Sequence, residues 1–207
     1  MPHYRQGSFL AIMILSLGLA PVLGGCLFEP RSAEPPTGGS ITYFDQSQPQ
    51  NVLANLEIAF QNRDAAGYER QIAADFSYEP DGDTQASYPD VDWSTWNRAT
   101  EIAFIQSFFN NVDGIAANLN ETVVSEGSTG TTAEYREIYA VTVTESGGFV
   151  PYRASVTFNF VLDGTYWVLS RWFDEQGGQD PETQAPRPTL GQRRGAFAAS
   201  GGGRASG

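Results

Sequence analysis

Between Ile115 and Phe173 apolar and polar residues alternate through four successive runs. Ile115, Ala117, Leu119 and Val123 mark the first run. Ala133, Tyr135, Tyr139, Val141 and Val143 mark the second, interrupted by Glu137. The third comprises Tyr152, Ala154, Val156, Phe158, Phe160 and Leu162, and the fourth Trp167, Leu169, Arg171 and Phe173. Neighbouring side chains of a strand point to opposite faces, so a period of two gathers each apolar set on one side. Such strands bury one face only, as in an antiparallel sheet packed on helices.

The helices precede the strands. Ser47-Gln48-Pro49 suits a helix start, with Ser as cap and Pro in the first turn. Val52, Leu53, Leu56, Ala59 and Phe60 then recur at helical spacing. Beyond Arg63-Asp64, residues Ala65 to Ala74 read as a second short helix with Tyr68 and Ile72 on one side. Phe76 and Tyr78 alternate with Ser77 and Glu79, a short strand that Pro80 ends. Residues 81–90 read as a loop, and Trp93 to Val112 as a third helix carrying Trp96, Ile102, Ile105, Phe109 and Val112. A chain of 207 residues holds one domain plus tails. With 41% apolar and 13% aromatic residues it can build a real core.

This order, helices with a short strand and then a meander of long strands, resembles the nuclear-transport-factor-2-like superfamily. The likeness is carried by ANLEIAFQNRDAAGYERQIAADFSYEP (Ala54 to Pro80), the Trp/Phe-rich third helix and DGTYWVLSRWFDE (Asp163 to Glu175). It implies an α+β fold in which a strongly curved antiparallel sheet wraps around the N-terminal helices as a cone. It also implies a second copy as a candidate partner, since such cones often dimerise through the outer sheet face. Within the superfamily the chain looks most like bacterial lipoproteins without an assigned activity.

The N-terminus reads as an address. Met1 to Ser8 is polar with Arg5, and Phe9 to Ala20 is a continuous apolar run, the pattern of a secretory signal peptide. That run is short for a spanning helix, which needs about 20 apolar residues. Leu23-Gly24-Gly25-Cys26 resembles the lipobox of bacterial lipoproteins. The resemblance implies cleavage before Cys26, lipid attachment to Cys26, and a membrane as partner through the acyl chains. Each buried methylene contributes about 0.8 kcal/mol, and stable anchoring takes more than one chain. Leu27 in place of Asp favours the outer membrane under the enterobacterial sorting pattern, if the cell has two. The expected divisions are therefore a leader over 1–25, a flexible tether over 26–46, the cone domain over 47–175 and a disordered Gly/Pro/Arg tail over 176–207.

Composition removes whole classes of chemistry. The formal charge is −12, so phosphate backbones are repelled and no nucleic-acid partner is expected. The chain has no Lys, one His (His3) and one Cys (Cys26). Without the leader there is no imidazole, no amine side chain and no free thiol. Ser-His-Asp and Cys-His nucleophiles, Schiff bases and His or Cys metal sites cannot be assembled. No phosphate-loop or dinucleotide pattern occurs, and no cofactor is expected. Asp81, Asp83, Gln85, Ser87 and Asp92 take calcium-loop spacing, but Ala86 stands where the turn demands Gly and Asp92 where a bidentate Glu belongs. A solvated acidic loop fits better.

A pocket follows from register. Asp163-Gly164 as a two-residue turn pairs Val156 with Arg171. Gly147-Gly148 as the preceding hairpin tip pairs Tyr139 with Val156 and Glu137 with Phe158. Tyr135, Glu137, Tyr139 and Arg171 would then share the helix-facing side, with Glu137 and Arg171 paired, either lining the cone mouth around a small polar ligand or forming a structural ion pair. Ketosteroid-isomerase-like and polyketide-cyclase-like relatives use an acid as proton-transfer base. Here Glu79 faces outward and only Glu137 could serve, with Tyr139 as donor. Non-catalytic ligand or partner binding in the cell envelope is favoured, ahead of a scaffold and of a carboxylate-based isomerase or cyclase.

Overall fold

The computed structural model describes residues 41–202. The leader 1–25, Cys26 and most of the 26–46 tether lie outside these residues. The described end of the tether is docked rather than free. Asn55 exchanges hydrogen bonds with Phe44, and the Trp167 N–H donates to the Gln46 carbonyl at 2.8 Å.

Helix α1 spans Pro49–Asn62, with Pro49 in its first turn and Gln48, not Ser47, at the N-cap. Its inner face carries Val52, Leu53, Leu56, Ala59 and Phe60, and the helix stops where Arg63 turns left-handed at φ 53°. Asp64 caps α2 (Ala65–Glu69) by accepting from the Gly67 N–H. This second helix is shorter than the spacing suggests. Strand β1 (Ile72–Glu79) takes over, because Ile72 pairs with Leu169 and the Leu169 N–H bonds the Gln71 carbonyl at 2.8 Å. Tertiary pairing overrides the helical preference of Ala73-Ala74.

The 81–90 loop contains a turn and a half of helix, α3 (Gly82–Ser87), capped by Asp81. The expected third helix is a 3-10 turn over Trp93–Thr95, then α4 (Arg98–Asn110) capped by Asn97. Its buried stripe is Glu101, Phe104, Ile105, Phe108 and Phe109.

Four long strands follow: β2 (Gly114–Thr129), β3 (Thr132–Glu145), β4 (Gly148–Asp163) and β5 (Tyr166–Gly177). The sheet order is β1-β5-β4-β3-β2, antiparallel throughout except for β1, which runs parallel to β5 at one edge. The five strands form a curved, unclosed sheet over α1 and α4, an α+β fold with one apolar core.

Both hairpins turn two residues away from the expected pairing. Glu145 faces Gly148, so Tyr139 pairs with Ala154 and Glu137 with Val156. Asp163 faces Tyr166, so Leu162 pairs with Trp167. An even slip preserves the faces. Odd slips do not, and β5 contains one. Phe160 pairs with Leu169 but Asn159 with Arg171, which leaves Ser170 as an extra residue. Beyond this bulge the inward positions are Trp172 and Asp174 instead of Arg171 and Phe173. The irregularity in β2 between Asn118 and Thr122 is a slip of two, so Val123 stays opposite Glu137 on the expected side, yet it is 54% exposed because that end of the strand is uncovered.

The segment expected as a disordered 176–207 tail is folded as far as it is described. After Gly177 the chain runs back along β4, with the Gly178 N–H on the Arg153 carbonyl and the Arg153 N–H on the Pro188 carbonyl. It ends in helix α5 (Gly191–Ala199), which inserts Arg194 into the interior. Buried polar partners, absent from any reading of composition, explain the difference.

Candidate functional site

The expected pocket is only partly assembled. Tyr135, Glu137 and Tyr139 do share the inward face of β3 and are all but fully buried. Arg171 does not join them. The Ser170 bulge turns its side chain outward, where it pairs with Glu79 across β1 and β5 and lies over the Phe173 ring. The expected Glu137–Arg171 pair is therefore corrected to Glu79–Arg171.

Without Arg171, Glu137 is 1% exposed and neither carboxylate oxygen has a hydrogen-bond partner. Burial, then the charge of nearby Glu126, push its pKa up to about 7. Tyr135 stacks edge-on against Phe160 at 5.1 Å, and burial followed by the charges of Glu126 and Glu137 raise its hydroxyl to about 12. Tyr139 points to the other side of the problem. Its hydroxyl accepts from the Leu190 N–H at 2.7 Å, so it receives the returning C-terminal segment.

That segment completes the interior. Glu101, at the head of the apolar stripe of α4, accepts from Tyr68 Oη at 2.7 Å and Trp96 Nε1 at 2.8 Å. Arg194 grips the same carboxylate with two prongs, Nε at 3.0 Å from Oε2 and Nη2 at 2.7 Å from Oε1. Both partners are fully buried. The guanidinium carbon lies 4.3 Å from the Tyr78 ring centroid, 4.7 Å from Trp172 and 5.1 Å from Phe104. Burial alone would lower the Arg194 pKa, but the charge and hydrogen bonds of Glu101, with Tyr78 and Tyr68 beside it, together outweigh burial and hold the group well above its ordinary value. Only Nη1 of this guanidinium lacks a partner.

A second buried carboxylate lies alongside. Asp174 accepts from Tyr78 Oη and Trp172 Nε1, each at 2.8 Å. Burial raises its pKa and the Arg194 charge counteracts it. At the rim Asp81 accepts from Thr84 Oγ1 and Thr189 Oγ1, both at 2.6 Å, and so staples α3 to the residues before α5.

Chemically this interior holds carboxylates already satisfied by their own chain. Neither Glu101 nor Asp174 faces open space. Two clefts are lined by neither of these acids. One of about 510 Å³ is bordered by Tyr88, Asp92, Trp96 and Ala198, and another of about 350 Å³ by Glu79, Trp93 and Arg171. Neither is lined by Tyr135, Glu137 or Tyr139. Among the described residues no group of three His, Cys, Asp or Glu side chains is placed to hold a metal ion. None of the described helices is long and apolar enough to cross a membrane.

Glu101, Asp174 and Arg194 were not legible as a set. Glu101 did leave a trace, since it precedes Phe104, Ile105 and Phe108 at helical spacing on one stripe.

No family model matches the sequence, and no curated protein matches it. Solved structures do. A Mycobacterium tuberculosis protein of unknown function superposes with a TM-score of 0.53, at 12% identity over 75% of this chain and 86% of that one. A nuclear-transport-factor-2-like protein of unknown function from Pseudomonas putida gives 0.50, at 13% identity over 68% and 92%. A provisionally assigned dehydratase of the same family from Streptomyces avermitilis gives 0.50, at 16% identity over 63% and 94%. The chain has the nuclear-transport-factor-2-like fold, with its C-terminal segment folded into the cone.

Proposed function

We propose that this chain is a lipid-anchored protein of the bacterial cell envelope whose cone domain binds rather than catalyses. Cys26 carries the lipid in this reading, the apolar run before it directs export, and the domain is held close to a membrane surface. One observation weighs most against catalysis: the interior space where an acid–base site would sit is occupied by Arg194 and its partners. A general base must reach a substrate proton within hydrogen-bonding distance, and a carboxylate wrapped in its own chain's donors cannot.

The anchor is tested by growing cells on alkyne-tagged palmitate. Wild-type chain should take up label and remain with membranes after a high-salt wash, whereas Cys26→Ser should do neither. An unlabelled wild-type chain that keeps its leader removes this reading.

Glu137 favours a second reading, an enzyme with a carboxylate base. Its pKa of about 7 is what such a base needs. The missing partner is a substrate space beside it. Native mass spectrometry of the full chain showing a stoichiometric small molecule, lost in Glu137→Gln, would bring this reading forward.

A further inference from the structure

We propose that the cone is a binding site for an alkylguanidinium cation, and that this chain occupies it with Arg194 as an exchangeable resident ligand. The proposal rests on the binding reading of the interior and extends it to a ligand class.

The seat has the form of a receptor for that cation. Glu101 offers two oxygens to the two prongs of the guanidinium, at 3.0 and 2.7 Å. Tyr78, Trp172 and Phe104 surround the guanidinium carbon within 5.1 Å. A planar fork meets a carboxylate bidentately and packs on aromatic faces, which a compact ammonium does less well. The Nη1 group finds no acceptor, so the pocket holds the cation without using every donor.

The segment that brings Arg194 has the properties of a ligand. Helix α5 is nine residues long and includes Gly191 and Gly195. A helix so short, with two glycines, does not hold together alone in water. Its helical form depends on docking. Those glycines are also what lets it dock: a Cβ on Gly195 would stand 2.2 Å from the Tyr88 ring, and one on Gly191 2.4 Å from the Tyr78 hydroxyl. Its attachments are apolar at Leu190, which lies in the core, and at Phe197, which packs edge-on against Phe104 and Trp96, and polar elsewhere. Thr189 bonds Asp81, the Leu190 N–H bonds Tyr139, Arg193 pairs with Glu145 and Arg194 with Glu101. The polar contacts yield to a competing cation more readily than the apolar ones, so Leu190 and Phe197 remain to hold the segment near its seat while Arg194 exchanges.

The same chemistry is available from a free alkylguanidinium or from the arginine-bearing segment of a second copy. Hydrogen–deuterium exchange of the full chain in rising ethylguanidinium chloride tests for exchange, with ethylammonium chloride at matched ionic strength as control. The α5 amides should exchange at least roughly tenfold faster than those of β3 and β4, as expected for local opening. Ethylguanidinium should accelerate them further while leaving the sheet unchanged, and ethylammonium should do so less. Amides of α5 that exchange only together with the sheet, and ignore both salts, overturn the proposal. In a second arm, full-chain Arg194→Ala should gain melting temperature in millimolar ethylguanidinium. It should also bind a peptide of residues 187–202 but not that peptide with Arg194→Ala. Binding of the small cation alone points to a free ligand, and tighter binding of the peptide to a second copy; binding of neither overturns the proposal. If the variant does not fold, exchange in the wild-type chain still decides. Turnover of the bound cation would refute the binding reading of the interior while leaving the seat itself in place.

Discussion

Two buried glutamates, Glu101 and Glu137, have received opposite treatment from the same fold. Glu101 accepts from Tyr68, Trp96 and both prongs of Arg194. Glu137 accepts from nothing, and its nearest charged influence is another carboxylate, Glu126. The contrast follows from what lies over each end of the sheet. Around Glu101, α2, α5 and the end of the 3-10 turn bring side-chain donors inward. Around Glu137, the partner strand β2 is exposed at every residue after Leu119 and supplies none. Both side chains are all but closed to solvent, so exposure does not set the fate of a buried charge. The supply of donors does.

The largest test removes the supply from the satisfied end. Arg194→Ala leaves Glu101 buried with Tyr68 and Trp96 only. Breaking one side of a buried pair costs about 3–5 kcal/mol, and the two remaining donors put the expected loss near the lower end. The double variant Glu101→Gln with Arg194→Met should recover most of that loss, because no charge is then left behind. Urea melts of the two full-length variants measure both. A double variant no more stable than Arg194→Ala would mean that α5 docks through something other than this pair.

The unsatisfied end should respond in the opposite direction. The pKa of Glu137 stands at about 7 against an ordinary 4.5. An acid raised in the folded state favours folding while protonated, so its contribution is complete below about pH 4.5 and lost as pH rises through about 7. Wild-type stability should therefore fall between about pH 5 and about pH 8, and Glu137→Gln should flatten that slope. At about pH 8 the variant should be the more stable, by up to about 3 kcal/mol for a shift of this size. Identical pH profiles for the two chains would mean that Glu137 has a partner or solvent after all, and the contrast with Glu101 would lose its meaning.

How much of this the sequence disclosed depends on which residues are considered. The inward face of β3 was legible, because strict alternation from Ala133 to Val143 fixes which side Tyr135, Glu137 and Tyr139 take, and slips of two residues do not disturb it. Arg171 was not. Ser170 carries no mark of a bulge, and a single inserted residue exchanges Arg171 and Phe173 for Trp172 and Asp174 on the inside. The C-terminal segment was least legible of all. Gly, Ala and Arg in close succession read as a solvated tail, whereas here the glycines admit close approach to Tyr78 and Tyr88 and one arginine finds a buried acid. Composition describes what a segment can do alone, and α5 does nothing alone.

The smallest expected effect belongs to the pair that the bulge created. Arg171 and Glu79 lie on the outer side of the sheet, with side chains 42% and 48% exposed. Exposed pairs of this kind contribute about 0–1 kcal/mol, since water and salt screen both partners. Arg171→Ala should therefore cost less than about 1 kcal/mol, most of it from the lost packing of the guanidinium on Phe173, and the loss should shrink little in high salt. The comparison has a sharp edge here, because an Arg171 turned inward beside Glu137 would behave quite differently. Its removal would then leave a buried carboxylate without its partner and cost several kcal/mol, on the scale of Arg194→Ala. A denaturant melt of this one variant thus separates the two registers of β5. A small loss supports the bulge at Ser170, and a large one would return Arg171 to the side that simple alternation assigns it.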